Sequence, residues 1–217
     1  MKIAVLGTGM VGTTIANKLI ALGHEVRMGA REATNEKAKA WSEASGERAS
    51  HGTFADAAAF GELVFNCTAG TGSLAALEAA GKENLKGKVL VDLANPLDFS
   101  KGMPPTLFID STDSLGERIQ KAFPEAKVVK TLNTVNCEVM VDPARVAGGD
   151  HHMFLSGNDA DAKRRVETLL REGFGWKHVV DLGDITTARG TESYLMLWVR
   201  LWGALKTADF NVKLMGV

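Results

Sequence analysis

Short apolar runs alternate with helix-period stretches over the first third of the chain, the pattern of βαβ units. Lys2 to Leu6 reads as a buried strand. Met10 to Leu22 reads as a helix with Val11, Ile15, Leu19 and Leu22 on one side, and Gly23 suits its stop. Glu25 to Met28 is the second predicted strand and Asn35 to Ser45 the second helix. Leu63 to Cys67 and Val89 to Leu93 are further apolar runs, each followed by a polar or glycine-containing turn. Ser114 and Glu117 form an S-x-x-E capping pattern for a helix that runs to about Phe123 and ends before Pro124. Lys127 to Leu132 is another strand, leading into Asn133-Thr134-Val135-Asn136.

After Pro143 the texture changes, and Gly148-Gly149-Asp150-His151-His152 reads as a linker. Beyond it come a strand (Met153 to Ser156), a helix (Asp159 to Glu172), a strand (Lys177 to Leu182) and a final helix from near Asp184. The expected architecture is α/β: a doubly wound parallel sheet in residues 1–148, then a small C-terminal α/β segment in 149–217 that shapes a substrate cleft and mediates dimerisation.

The first predicted loop carries chemistry. Gly7-Thr8-Gly9-Met10-Val11-Gly12 is G-x-G-x-x-G, placed between a strand and a helix, the context of a Rossmann dinucleotide site. There the first glycine permits the tight turn, the second lets pyrophosphate approach, and the third lets helix and strand pack closely. The helix N-terminus offers free N–H groups and a positive dipole end to phosphate. An NAD site usually has an acid about 20 residues on, at the end of the second strand. Here that place holds Arg31, with Thr34 and Lys37 nearby, and a guanidinium binds a 2′-phosphate with two parallel hydrogen bonds. The predicted cofactor is NADP(H). Thr68 and Ala69 are expected near its ribose and nicotinamide. Asn95 and Pro96 are expected beside the ring, and Asn133 in the third strand-end loop of the crevice.

Composition narrows the partners. With 25 basic against 26 acidic residues the net charge is −1, which argues against nucleic acid or an anionic membrane as partner. The N-terminal apolar run is too short for a signal peptide, and the run Tyr194 to Leu205 is too short to span a bilayer. Two cysteines, Cys67 and Cys137, build no disulfide framework, so a reducing, cytoplasmic setting is expected. His151-His152 lacks companion ligands, and no metal site is predicted.

The G-T-G-x-V-G start, the arginine ending the second strand, the stretch Lys127-Val128-Val129-Lys130-Thr131-Leu132-Asn133-Thr134 and the chain length resemble the F420-dependent NADP oxidoreductase family. That resemblance implies a Rossmann domain holding NADP(H), and hydride exchange between nicotinamide C4 and C5 of the deazaflavin coenzyme F420. It also implies a dimer. Hydride transfer between two planar cofactors needs stacking more than a dedicated proton donor, so no catalytic side chain is assigned. The residues alone leave FMN or a small carbonyl or imine compound open as second substrate. A non-enzymatic NADP(H)-binding redox sensor also stays open. Tyr194 and Lys130 are the candidate donors for carbonyl chemistry, Arg189 is a candidate anion contact, and no basic groove for a polyanionic tail stands out in the C-terminal part. In Tyr194 to Trp202 apolar residues cover nearly every face of a helix, which predicts burial on several sides and a homodimer through it.

Overall fold

In the computed structural model, which describes residues 1–216, the chain runs in order through β1 (Lys2–Leu6), α1 (Met10–Ala21), β2 (Glu25–Ala30), α2 (Glu36–Ala44), β3 (Ala49–Thr53), α3 (Phe54–Phe60), β4 (Leu63–Asn66), α4 (Gly70–Ala80), α5 (Lys82–Leu85) and β5 (Val89–Asp92). A small hairpin follows, β6 (Leu97–Asp98) and β7 (Thr106–Leu107). Then come α6 (Leu115–Ala122), β8 (Lys127–Thr131), α7 (Cys137–Val141), β9 (His152–Gly157), α8 (Ala160–Thr168), β10 (His178–Asp181), α9 (Ala188–Ser193) and α10 (Leu195–Leu205).

Eight strands form one sheet in the order β10-β9-β8-β5-β4-β1-β2-β3. The six from β8 to β3 are parallel, and their order reverses between β1 and β4. That reversal opens a crevice beyond the carboxyl ends of the strands. The central strands are apolar on both faces because helices cover both. Ile3 and Val5 of β1 pack with Ile15 and Leu19 of α1, whereas Ala4 and Leu6 pack on the opposite face with Ala57 and Leu77.

Two strands beyond residue 148 belong to this same sheet. β9 runs antiparallel to β8, pairing Thr131 with Leu155, and β10 runs parallel to β9, so one sheet crosses residue 148. The stretch expected as a linker, Gly148 to His152, starts in a tight 3-10 turn, Ala147–Gly149, with Gly148 and Gly149 at positive φ, and ends in β9, which begins at His152. The helix expected to reach Glu172 changes at Leu169 into a wider π turn, which ends at Gly175 and buries Trp176 with its indole N–H on the Met140 carbonyl at 3.0 Å. Two elements carry no sequence signal of the expected kind: β3 is the polar edge strand Ala-Ser-His-Gly-Thr, and α3 is a short alanine-rich helix under a Thr53–Asp56 capping box. The Ser114 cap forms as expected, its hydroxyl accepting from the Glu117 N–H at 3.1 Å. No helix among the described residues is long and apolar enough to cross a membrane.

The last helix departs from expectation. Leu195 and Val199 are buried, but Leu197, Trp202 and Leu205 are 54%, 42% and 55% exposed. Leu197, Leu201 and Leu205 recur every four residues and so share one face.

Candidate active site

The glycine loop has geometric reasons for each glycine. Gly7 has φ of 120°, and a Cβ there would lie 2.7 Å from the Cys67 carbonyl oxygen. A Cβ on Gly12 would lie 2.1 Å from the Gly7 carbonyl oxygen, so α1 starts in contact with the loop that precedes it. A Cβ on Gly9 would meet no protein atom within 4 Å. Packing therefore explains Gly7 and Gly12, while the open space at Gly9 is where a ligand would approach. Gly9 is the N-cap of α1 with no side-chain cap and no acid in the first turn, which leaves the helix terminus open to an anion. Thr8 sits partly buried in the same loop. Arg31, Thr34 and Lys37 are all exposed beyond β2 and at the start of α2, where Asn35 caps the helix through the Ala38 N–H.

Beyond the strand ends lies a cavity of about 650 Å³. Of the residues expected in the site, Met10, Val11, Thr68, Ala69, Asn95 and Asn133 line it. Gly7, Thr8, Gly9, Gly12 and Pro96 adjoin it in the same loops, and Arg31, Thr34 and Lys37 stand outside it at the β2 end. Tyr194, Lys130 and Arg189 do not line it. Arg189 instead makes a two-pronged pair with Glu117, at 2.6 and 2.8 Å. The facing wall, undetected from sequence as part of the site, is Phe99 with Leu195, Trp198 and Trp202 of α10. Trp198 stacks between Trp202 and Phe210 at centroid distances of 6.1 and 5.3 Å, and its indole N–H has no partner.

The floor is held by a buried polar network. Asn66 donates from Nδ2 to Asp92 at 2.8 Å and accepts at Oδ1 from the Thr68 hydroxyl at 2.7 Å. Lys130 Nζ reaches Asp92 and Glu192, each at 2.8 Å, and the Ala94 carbonyl. Glu192 in turn accepts from the Leu115 and Gly116 N–H groups, at 2.7 and 3.0 Å, at the start of α6. Burial alone would push the Lys130 ammonium toward losing its proton. The Asp92 and Glu192 carboxylates outweigh it, and the ammonium titrates above its ordinary value. Burial, helped by the Asp92 charge, pushes the Cys67 thiol well up, so it is no nucleophile.

Above the network the loops clasp each other. Asn95 donates to the Asn133 carbonyl at 2.9 Å, and Asn133 donates to Asn95 Oδ1 at 3.0 Å and to the Thr191 carbonyl at 3.1 Å. Leu132 has φ of 63°, a conformation that costs a leucine roughly 1–2 kcal/mol and turns the chain so that Asn133 enters the clasp. A Cβ on Gly70 would lie 2.0 Å from the Asn95 carbonyl oxygen, so α4 is pressed against this loop as well. His151 and His152 lie elsewhere: His151 is buried with Nε2 2.8 Å from the Pro143 carbonyl, and His152 stacks on His178.

Known proteins share this arrangement. The sequence model described as "NADP oxidoreductase coenzyme F420-dependent" matches residues 2–96. The F420-dependent NADP reductase of Methanocaldococcus jannaschii is 30% identical over 210 residues, covering 93% of this chain and 92% of that one. A crystal structure of a candidate F420-dependent NADP-reductase from Arthrobacter sp. FB24 superposes with a TM-score of 0.93 at 59% identity, over 99% of both chains. The imine reductase of Streptomyces aurantiacus shares the fold alone, with a TM-score of 0.64 at 20% identity over 95% of this chain and 63% of that one. With the Methanocaldococcus jannaschii reductase 30% identical over nearly its whole length, this chain belongs to the family of F420-dependent NADP oxidoreductases.

Proposed function

We propose that the protein is an NADP(H)-dependent oxidoreductase that passes hydride between the nicotinamide and coenzyme F420. One observation carries the geometry of this reading. The cavity is lined by strand-end loops and the start of α1 together with Trp198, Trp202 and Phe99, a mostly apolar space with aromatic rings suited to stacked planar cofactors. The glycine loop would take the pyrophosphate, with Gly9 admitting its close approach. Arg31, Thr34 and Lys37 would take the 2′-phosphate, since the residue that follows β2 is Arg31 rather than the acid of an NAD site, with Glu32 beside it on the exposed turn. Thr68, Ala69, Asn95, Pro96 and Asn133 would set the nicotinamide face, and the aromatic wall would hold the second ring over it. The cofactors carry the chemistry, and the protein supplies distance and orientation. Tyr194 and Lys130 lie outside the cavity, so neither supplies the proton donor that carbonyl reduction calls for.

Stopped-flow oxidation of NADPH tests the reading against its competitors. Rapid turnover is expected with coenzyme F420, with little or none for FMN or a panel of small ketones and imines. Binding of NADPH without turnover of any acceptor would replace the enzyme by a redox sensor. Replacing Arg31 by alanine should weaken NADPH about 10- to 100-fold and leave NADH nearly unchanged, the weight of one charge-assisted phosphate contact. Equal losses would remove the 2′-phosphate role.

The open Leu197, Leu201 and Leu205 face of α10 supports a homodimer through this helix, with sedimentation at micromolar concentration as the test. A monomer there would remove it. Free thiols at Cys67 and Cys137 accord with a cytoplasmic setting.

A further inference from the structure

Resting on the deazaflavin reading, we propose that a groove beside the cleft, bordered by Arg200 and Lys206, binds the acidic tail of the deazaflavin substrate. The groove has a volume of about 600 Å³ and is bounded by Met103 and Pro104 on one side and by Arg200, Gly203 and Lys206 on the other. Two of the elements that line the cleft, the loop of the β6–β7 hairpin and α10, also form this groove, and Trp202 lines both cavities. A ring seated against Trp202 therefore has its substituent beside this groove. The cleft lining itself holds no lysine or arginine, and Asp209 there is paired with Arg145 at 3.1 Å, so the cations open to an anionic chain lie in the groove.

The groove brings two such cations together. Arg200 and Lys206 are exposed, and neither is paired with a carboxylate among the described residues. Lys206 ends α10 in the left-handed conformation, φ of 57°, where glycine is the usual residue. A cation near a helix C-terminus complements the helix dipole, which accounts for Lys206 in part. Arg200 lies in the middle of α10, where that effect has faded. An anion in the groove accounts for both. The coenzyme's tail, a phosphodiester followed by carboxylates, has the matching chemistry. The face used differs from the Leu197–Leu201–Leu205 face, so a dimer through the latter leaves the groove available.

The test compares two acceptors at saturating NADPH: coenzyme F420 and its ring-and-ribityl core without phosphate or glutamate. The protein is used as wild type and as the double variant Arg200→Gln, Lys206→Gln. The KM for F420 should rise about tenfold in the variant, the size of two exposed charge contacts, with KM for the tail-less core unchanged. Raising the salt should raise the KM for F420 in the wild type and have much less effect in the variant. An unchanged KM for F420, or equal rises for both acceptors, overturns the groove assignment while leaving the deazaflavin reaction standing. A wild type that reduces neither acceptor overturns that reaction, and the groove with it.

Discussion

At the floor of the cleft Asn66, Asp92, Lys130 and Glu192 are each no more than 3% exposed and satisfy one another's polar groups. The facing wall leaves Trp202 42% exposed and the indole N–H of Trp198 without a partner. The floor ties β4, β5, β8 and α9 together through directional contacts, so the loops beyond those strands have one geometry. The wall is held by dispersion between stacked rings, which tolerates displacement and has fewer buried anchors. A cofactor that must be held within a fraction of an ångström suits the first, and a second substrate that must enter and leave suits the second. Preorganisation is concentrated on the side proposed for the nicotinamide.

The largest effect expected from this contrast is at Lys130. Lys130→Met leaves Asp92 and Glu192 buried without their shared cation, a change that costs about 3–5 kcal/mol in comparable buried pairs. The melting temperature should fall by about 10 °C or more, and NADPH affinity should fall with it as the loops loosen. A variant as stable as the wild type would show that the network is not what holds the floor.

Next in size is a pair of substitutions inside one loop. Gly12→Ala drives a methyl against the Gly7 carbonyl and must spread α1 from the loop, so both stability and NADPH binding should suffer, binding by about 100-fold. Gly9→Ala meets no protein atom, so its melting temperature should be nearly unchanged while NADPH binding still weakens. Calorimetric titration beside thermal unfolding separates the two. Equal destabilisation by both would mean that Gly9 serves packing, not the approach of a ligand.

What could be read along the chain follows the same division. The glycine loop and Arg31 lie close together in sequence, and their residue types announce phosphate chemistry locally. The floor joins positions 26 and 38 residues apart, each a polar residue at or next to the end of a short apolar strand. A signal did exist: Asp92 ends one valine-rich strand and Lys130, of opposite charge, is next to last in another, and they are register partners in adjacent strands. Their pairing needed the strand order, which local pattern does not supply. The wall was legible as an apolar helix, yet its apolarity pointed to burial on several sides, because periodicity cannot tell a core face from a face toward a ligand cavity. The boundary read at residue 148 marked a real change of texture, but hydrogen bonding between β8 and β9 carries the sheet across it.

Arg189 gives the smallest effect and checks the comparison from outside. From sequence it was a candidate anion contact in the cleft. Its guanidinium is instead engaged by both oxygens of Glu117, and its side chain is 42% exposed. Glu117 is 16% exposed, but with the guanidinium reached by water and salt the attraction is screened, and ordering two side chains opposes it, so the pair contributes little. Glu117 keeps its hydrogen bond from the Ser114 hydroxyl when the arginine is removed, so the α6 cap survives. Arg189→Ala should therefore shift the melting temperature by less than about 2 °C and leave the KM values for NADPH and for the acceptor unchanged. The Glu192 carboxylate, three residues on, lies on the buried side of the same short helix and holds Lys130. A clear rise in either KM for Arg189→Ala would mean that disturbance at the surface of α9 reaches the floor through Glu192, and the floor would then be far less rigid than its burial implies.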